Sequence, residues 1–426
     1  MGLVLHVILS LFIILSYHCF YIFKYPNWLS SLTWIYNFSL VVFFVTIFYL
    51  ILYWKSVRKC SWIFHYICLL MICISLIFIY SYYKYPFQPM FDTIRVAAVF
   101  LMPICSILFL IEFSLYNRFV TFLQMVNILS LFWNILIIVQ SIVYAKKGLI
   151  LDFSSYFIGD DVYVRNNTIR ISTGILSEYM IIYNFSALYN KKLNKSFSYL
   201  FHLIACVIGI YCIFFVAQSR ADEVYVFVSL CTILFVGDGS LKHRVITFLV
   251  FISGLFIIYF SDIFSSFLST FNPSGEYQNG TTHRLYAIEY YIEIILNNPI
   301  FGNGFALTTN RSQVYYYVEH GIKGWAYYSD VGFLGLLANV GIFSFVVYII
   351  PIFRQFQVLT LLSKRNCIVE SLFLLGSFVY TLLSSFSLIS TDATRMLQFA
   401  FIIALYETVY MKLMNKQEIK LYSWDK

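Results

Sequence analysis

Charged residues are scarce in this sequence. Asp, Glu, Lys and Arg make up 11% of its 426 residues, whereas a soluble globular protein carries about 25%. Hydrophobic residues make up 61%, and there are only 18 glycines and 7 prolines. This composition excludes a soluble enzyme, a disordered chain and a fibrous protein. It predicts a protein with many transmembrane helices.

Motifs for metals, nucleotides and disulfides are also missing. No His/Cys cluster indicates a zinc site, no P-loop indicates ATP hydrolysis, and no GxSxG elbow indicates a hydrolase. The nine cysteines lie in apolar runs or at their edges, where buried thiols are expected. The net charge of +8 is attributed to the orientation of membrane loops. We therefore expect no metal, no cofactor and no nucleic-acid partner.

Long apolar runs dominate what is present. Each is compatible with the roughly 20 residues that a transmembrane helix needs. The predicted fold is an all-α polytopic membrane protein with about twelve transmembrane helices, which form one integral membrane domain over residues 1–426. The predicted spans are residues 2–23, 33–54, 61–80, 96–115, 119–144, 175–190, 197–217, 224–237, 245–262, 331–350, 367–390 and 396–411.

Basic residues orient these spans. With both termini in the cytoplasm, every inner connection carries a Lys or Arg, and 16 of the 28 basic residues lie inside. The outer side then holds seven arginines and five lysines, against five and eleven inside. Because the Arg side chain recognises phosphate through a planar fork of donors, this excess indicates an anionic ligand such as pyrophosphate. Pairing with outer acids such as Asp222 and Glu223 is the alternative.

Charge is also missing from the middle of the predicted spans, where no Asp, Lys or Arg falls. Ion-coupled transporters usually place ionisable groups there. The pattern favours chemistry at the outer surface over transport.

Two outer loops, approximately residues 146–174 and 263–330, are longer than connections require and are expected to be functional. In the second loop, apolar residues at helical spacing predict an amphipathic helix over residues 281–296. These residues are Leu285, Ile288, Ile292 and Ile295.

Arg284 follows closely on the predicted start of this helix. A cap at Thr281 or Thr282 would place Arg284 in the first turn, where a cation opposes the helix dipole. A bound phosphate would compensate for this, although an exposed surface arginine is the alternative. Pro299 ends the helix, and Gly302 and Gly304 permit a tight turn.

Four segments resemble the O-antigen polymerase and O-antigen ligase superfamily of bacterial membranes. They are the Arg284 helix followed by Pro299-x-x-Gly302-x-Gly304, the loop-to-helix segment from Tyr328 to Ile342, the Gln218-Ser219-Arg220 sequence, and Arg170-x-x-x-Gly174. Their order and spacing along the spans resemble the family's order.

The resemblance implies a glycosyltransferase with a C-type membrane architecture and no metal. It would polymerise polyprenyl-pyrophosphate-linked oligosaccharide repeat units at the outer face of the bacterial cytoplasmic membrane. It places Arg220, Arg284 and Arg170 on the donor pyrophosphate. A flippase and a chain-length regulator in the same membrane are the expected partners.

The catalytic base stays open between His320 and Asp330. The ligases of the family carry a His-Asn pair where the chain re-enters the membrane, and this sequence has Ser329-Asp330 instead. An imidazole accepts a proton near neutral pH without tuning, which slightly favours His320. A carboxylate needs burial to become a useful base. Structural alternatives are an ordinary loop histidine and a helix-capping aspartate.

Three rival functions remain. A ligase would move finished glycan to a lipid acceptor by the same chemistry. A polysaccharide flippase also often has about twelve spans, but would need charges in a central cavity. An acyltransferase would normally show a catalytic His or Asp inside a span. The sequence leaves open the sugar, the linkage, and whether the product is O-antigen, capsule or exopolysaccharide.

Overall fold

A computed structural model describes the chain in segments. These are residues 2–16, 35–58, 60–149, 164–165, 168–169, 171, 174–188, 197–237, 278–307, 314, 318, 320–321, 324–326, 328–365, 368–387, 389, 391 and 395–415. The predicted span over residues 245–262 and most of the predicted outer loop 146–174 lie outside them.

The described part of the chain is mainly helical. Its α-helices are α1 (Gly2–Ser16), α2 (Ile35–Leu52), α3 (Trp54–Val57), α4 (Ser61–Lys84), α5 (Met90–Leu101), α6 (Ser106–Leu110), α7 (Phe119–Lys147), α8 (Ile175–Ala187), α9 (Phe197–Tyr211), α10 (Arg220–Gly237), α11 (Gln278–Asn297), α12 (Gly332–Val340), α13 (Ile350–Lys364), α14 (Ile368–Leu383) and α15 (Met396–Met414).

Short stretches of other helical types extend or connect these helices. The 3-10 stretches are Met102–Cys105, Tyr328–Val331 and Gly341–Phe343, and the π-helical stretches are Ile111–Leu115, Cys212–Ala217 and Phe345–Ile349. Two antiparallel ladders of two-residue strands also occur. They pair β1 (Val164–Arg165) with β2 (Thr168–Ile169), and β3 (His320–Gly321) with β4 (Gly324–Trp325).

Seven helices among the described residues are long and apolar enough to cross a membrane. They are Ile35–Leu52, Trp62–Lys84, Met90–Leu115, Phe119–Lys147, Ser198–Ala217, Phe345–Lys364 and Met396–Met414. Shorter apolar helices lie at Gly2–Ser16, Gly332–Phe343 and Ser371–Leu383. The all-α polytopic membrane fold is thereby confirmed, and the number twelve stays a prediction.

The predicted span over residues 331–350 contains a bend. α12 ends at Val340, Gly341 adopts a φ of +57°, and helical structure then continues to Lys364. A Cβ atom on Gly341 would lie 2.1 Å from the Ile300 carbonyl oxygen. The chain bends here because the turn that follows α11 packs directly against it.

Two segments form the centre of the bundle. All residues from Val96 to Phe113 and from Met396 to Val409 are buried. Both segments are mainly apolar around their whole circumference, as expected for helices surrounded by others. They pack together through α6 and α15, with the rings of Phe109 and Phe401 5.5 Å apart.

Polar side chains inside the bundle bind one another. Asn127 on α7 and Asn184 on α8 exchange two amide hydrogen bonds of 2.8 and 2.7 Å. His202 on α9 lies with its Nδ1 atom 2.7 Å from the Asn184 Oδ1 atom. Because lipid offers no hydrogen-bond partners, these contacts hold three neighbouring helices in register.

Arg354 lies inside α13. Its Nε and Nη2 atoms donate to the two carboxylate oxygens of Glu407 on α15, at 3.0 and 3.3 Å. Its guanidinium carbon lies 3.8 Å from the ring centre of Tyr410 and 5.1 Å from that of Trp62. The pair is buried.

The position of this pair bears on the prediction about charge in the spans. Arg354 lies within the candidate span Phe345–Lys364, but Trp62, which it contacts, begins the candidate span Trp62–Lys84. The absence of Asp, Lys and Arg from span centres stays a prediction. Trp62 belongs to the first turn of α4. The pair is therefore level with the end of that neighbouring helix, where it joins α4, α13 and α15.

Arg354→Met should destabilise the protein by about 3–5 kcal/mol, because Glu407 would remain buried without its cation. The double variant with Glu407→Met should recover most of this loss, since it removes both charges. Arg58→Met, at an exposed position, is the control. Unfolding of the purified protein in detergent measures the effect, and a single variant as stable as the wild type would contradict it.

Candidate active site

The Ser219-Arg220 sequence lies at a sharp junction between two helices. α9 ends in the π-helical stretch Cys212–Ala217, after which Gln218 adopts a left-handed conformation with a φ of +48°. Positive φ is uncommon for a residue other than glycine. The Gln218 N–H donates to the Ile213 carbonyl at 3.0 Å, and α10 begins at Arg220. The predicted arginine thus stands at the first position of a helix.

A cluster of two acids and a tyrosine underlies this junction. Ser219 Oγ donates to Asp222 Oδ2 at 2.6 Å. Tyr380 on α14 hydrogen-bonds both to Asp222 Oδ1, at 3.1 Å, and to Glu178 on α8. All four side chains are buried. We call Asp222, Tyr380 and Glu178 the acid–tyrosine cluster.

The Tyr380 hydroxyl cannot donate a full hydrogen bond to both carboxyl groups of the acid–tyrosine cluster. A tyrosine hydroxyl carries one hydrogen, yet two carboxyl groups contact the Tyr380 oxygen. Either the hydrogen is shared between them, or one carboxyl holds a proton and donates it to that oxygen. Adjacent buried carboxylates repel each other when both are ionised, so nearby positive charge is needed to stabilise them.

Two arginines supply positive charge to this region. Tyr225, in the second turn of α10, interacts electrostatically with Asp222, Arg284 and Arg395. Arg395 also acts on Tyr380. The Tyr225 hydroxyl donates to the Ser387 carbonyl at 3.4 Å, and its ring lies 6.1 Å from that of Tyr380. The charge of Arg284 in the long loop therefore acts on the second turn of α10.

The predicted helix around Arg284 is confirmed, but its start is not. α11 begins at Gln278 and ends at Asn297, so Thr281 and Thr282 lie within it and do not cap it. Arg284 is exposed and occupies the second turn. The interaction with the helix dipole is strongest in the first turn. The dipole of α11 therefore stabilises an anion bound by Arg284 less than a first-turn position would predict.

The turn after α11 is anchored on both sides. The Asn303 and Gly304 N–H groups donate to the Ala338 and Asn339 carbonyls, each at 2.7 Å. Gly302 has a φ of +59°, and a Cβ atom on it would lie 2.2 Å from the Ala338 oxygen. The predicted tight turn with close backbone approach is confirmed.

The end of α4 holds the other side of the same turn. Lys84 Nζ lies 3.2 Å from the Gly302 carbonyl oxygen, and the Tyr85 hydroxyl donates to the Asn303 carbonyl at 2.8 Å. Burial raises the pKa of Tyr85 above its ordinary value, with a smaller effect from the neighbouring tyrosines Tyr80 and Tyr290. Tyr85 therefore stays a neutral donor.

His320 and Asp330 belong to the segment that α11 supports. His320 lies in β3, and its backbone is paired with that of Trp325 in β4. The Tyr290 and Tyr291 hydroxyls of α11 donate to the Val318 and Ala326 carbonyls, at 3.0 and 2.6 Å. These bonds hold the chain on both sides of His320 close to α11.

Asp330 is not the N-cap residue of α12. It lies in the 3-10 stretch Tyr328–Val331, and the N-cap position of α12 is Val331, which makes no side-chain cap. An apolar cluster joins this stretch to α11 and α12, through Tyr286, Ala287, Tyr291, Ala326, Val331 and Ala338. Asp330 thus directly precedes the N-cap position of α12, and both explanations for it, capping and catalysis, stay predictions.

The structure brings most of the predicted site segments together. Arg284, His320 and Asp330 belong to one local unit around α11, and Arg220 begins the helix whose Tyr225 interacts with Arg284. Arg170 and the side chains of Arg220 and His320 lie outside the described residues. Arg95, which is also predicted to lie outside, pairs with Asp92 at 2.9 Å, in agreement with the alternative that such arginines pair with acids.

Sequence patterns give little indication of the acid–tyrosine cluster. Glu178 was noticeable as an ionisable residue within an apolar run, and Asp222 as an acid beside an arginine. Tyr380 is one of 36 tyrosines, and no pattern distinguishes it. In the described part of the chain, His, Cys, Asp and Glu side chains form no group of three that could hold a metal ion.

A comparison with protein families finds a match in this region. The model of the O-antigen ligase family matches residues 204–349. The matched segment contains Arg220, Arg284, His320 and Asp330, and it confirms the resemblance to the O-antigen ligase and polymerase superfamily. No curated protein matches the chain. The family indicates an enzyme of glycan assembly in a multi-pass membrane protein.

Tyr380→Phe tests the acid–tyrosine cluster. It keeps the ring but removes the hydroxyl that both carboxyl groups contact, which should cost about 1–3 kcal/mol of stability. Tyr179→Phe, the control, removes an equally buried hydroxyl that binds Thr381 Oγ1 at 2.6 Å. Because the control leaves both carboxyl groups with their partner, it should cost less. Unfolding in detergent measures both variants, and an equal loss of stability would contradict the role of the cluster.

Proposed function

We propose that this protein polymerises polyprenyl-pyrophosphate-linked oligosaccharide repeat units into a surface polysaccharide. The reaction takes place at the outer face of a bacterial cytoplasmic membrane and needs no metal. An acceptor hydroxyl oxygen attacks the anomeric carbon of the donor sugar. The bond from that carbon to the pyrophosphate breaks, and the lipid pyrophosphate leaves with the electron pair.

The observation that carries this proposal is the convergence of cationic segments on one end of α10. Arg220 is the first residue of that helix, and Arg284 and Arg395 interact with its Tyr225. Arginine side chains suit a leaving pyrophosphate because fixed cations stabilise the charge that develops as the bond breaks. Arg170 is proposed as a third donor ligand from the resemblance alone.

The surroundings of α11 supply the acceptor side in this proposal. His320 and Asp330 both lie in the segment that α11 holds, and each can accept a proton from the attacking hydroxyl. His320 is preferred because neutral imidazole is a base near pH 7.

A ligase is the nearest rival. Ser329-Asp330 replaces the His-Asn pair that the resemblance gives to ligases, and this favours polymerisation. A flippase, the non-enzymatic alternative, would move the lipid-linked units without forming a bond. Its need for charge in a central cavity is not met by the buried Arg354–Glu407 pair, because Glu407 already binds the guanidinium with both oxygens.

Reconstitution in vesicles separates the three functions. The purified protein is given lipid-linked repeat units, with and without a lipid acceptor. A ladder of longer glycans on polyprenyl pyrophosphate is expected for a polymerase. Transfer that occurs only to the added acceptor would instead establish a ligase, and translocation without any new glycosidic bond would establish a flippase.

Arg220→Lys and Arg284→Lys should each lower polymerisation by at least about tenfold, which corresponds to about 1.4 kcal/mol of transition-state stabilisation. Lysine keeps the charge but loses the planar fork of donors. Arg95→Lys is the matched control, because Arg95 already pairs with Asp92, and it should retain activity. Full-length polymer from both Arg→Ala variants would refute the assignment.

Substitutions also decide between the two bases. His320→Ala should abolish chain growth, whereas Asp330→Asn keeps the size of the side chain and should be mild. The readout is the rate of polymerisation at equal protein amounts. An inactive Asp330→Asn with an active His320→Ala would move the role to the carboxylate. If both variants are active, neither residue is the base.

A further inference from the structure

α11 has two apolar faces. One face packs on the protein through Tyr286, Ala287 and Tyr291, which are buried. The other points away from the described protein and carries four aliphatic side chains with exposed fractions of 38–76%. These are Leu285, Ile288, Ile292 and Leu296, which we call the aliphatic strip.

Charged residues border the aliphatic strip on both sides. At 100° per residue, Glu289 and Glu293 follow one edge of the strip, and Arg284 lies beyond the other edge near Ile288. All three are exposed. An apolar strip with charged borders on a surface helix is the pattern of a helix that lies in a membrane interface.

The aliphatic strip continues into the lipid-facing side of a membrane span. One turn beyond Leu296, Ile300 is also exposed, and the backbone carbonyls of Pro299 and Ile300 accept from the Ile342 N–H, at 3.0 and 3.2 Å. Ile342 is exposed in turn. Further exposed apolar residues follow along one face of the candidate span Phe345–Lys364, at Phe345, Ile349, Phe353 and Phe356.

The connection between strip and span lies near one end of a candidate span, because Lys84, which ends the span Trp62–Lys84, lies with its Nζ atom 3.2 Å from the Gly302 oxygen. A helix that starts here with an exposed aliphatic strip cannot leave the strip in water without a large apolar patch on its surface.

We propose that α11 lies in the membrane interface, with the aliphatic strip among the acyl chains of the phospholipid bilayer and Glu289 and Glu293 facing water. In the proposed topology this is the outer leaflet. Continuity with the lipid-facing side of the span favours the bilayer over a second copy of the chain. Arg284, at the edge of the strip, then lies at the depth of lipid phosphate groups.

Fluorescence quenching tests this orientation in the full-length protein. A fluorescent amino acid is introduced at Ile292 or, as the matched control, at Glu293, and the protein is placed in phosphatidylcholine vesicles with brominated acyl chains. Emission from position 292 should be quenched by at least about twofold more than emission from position 293. Equal quenching at both positions, or none at 292, would overturn the proposal.

Other occupants of the strip give different results. Blue-shifted but unquenched emission from position 292 would mean that protein, such as a second copy, covers the strip. Quenching by a brominated polyprenyl phosphate, but not by brominated phospholipid, would mean that the donor chain occupies it. Either result overturns the proposal. Because the measurement needs no catalysis, failure of the proposed function would leave its outcome unaffected.

Discussion

The hydroxyl of Tyr380 joins three helices at the point where the candidate site begins. It contacts Glu178 on α8 and Asp222 on α10 from its own position on α14, and Asp222 in turn binds Ser219. Carboxyl groups buried in this way are stable only when their hydrogen bonds and charges are satisfied. The position of the first turn of α10 therefore depends on this contact, and with it the backbone position of Arg220.

Several parts of the long loop were predictable because they are local. The spacing of the aliphatic residues indicated a helix, Pro299 indicated its end, and Gly302 and Gly304 indicated a tight turn. Each of these signals acts over a few residues through backbone geometry. The family match also covers the segment in which four of the five predicted site residues lie.

Contacts between distant residues were not predictable in the same way. Glu178 and Tyr380, or Arg354 and Glu407, meet only because separate helices pack, and single-sequence periodicity contains no information on which helices are neighbours. The early start of α11 was missed since no preferred N-cap residue directly precedes Gln278 in the sequence. The helical spacing placed Ile295 on the same apolar face as Leu285, Ile288 and Ile292. In the structure Ile295 is half-buried and Leu296 is the exposed residue instead, so α11 has two apolar faces where the spacing indicated one.

The orientation of α11 at the turn that follows it strongly affects the position of Arg284. From the turn at Asn298 to Arg284 the helix extends about 21 Å at 1.5 Å per residue. A rotation of only about 5° at the turn would displace Arg284 by roughly 2 Å over that length, which exceeds the misplacement of about 1 Å that can cost an enzyme a hundredfold in rate. The turn itself is held by the close contact of Gly302 with Ala338 and by the bonds from Lys84 and Tyr85. The buried contacts of Tyr286 and Ala287 and the bonds of Tyr290 and Tyr291 oppose such a rotation, so the position of Arg284 is set by the turn and by the middle of α11 together.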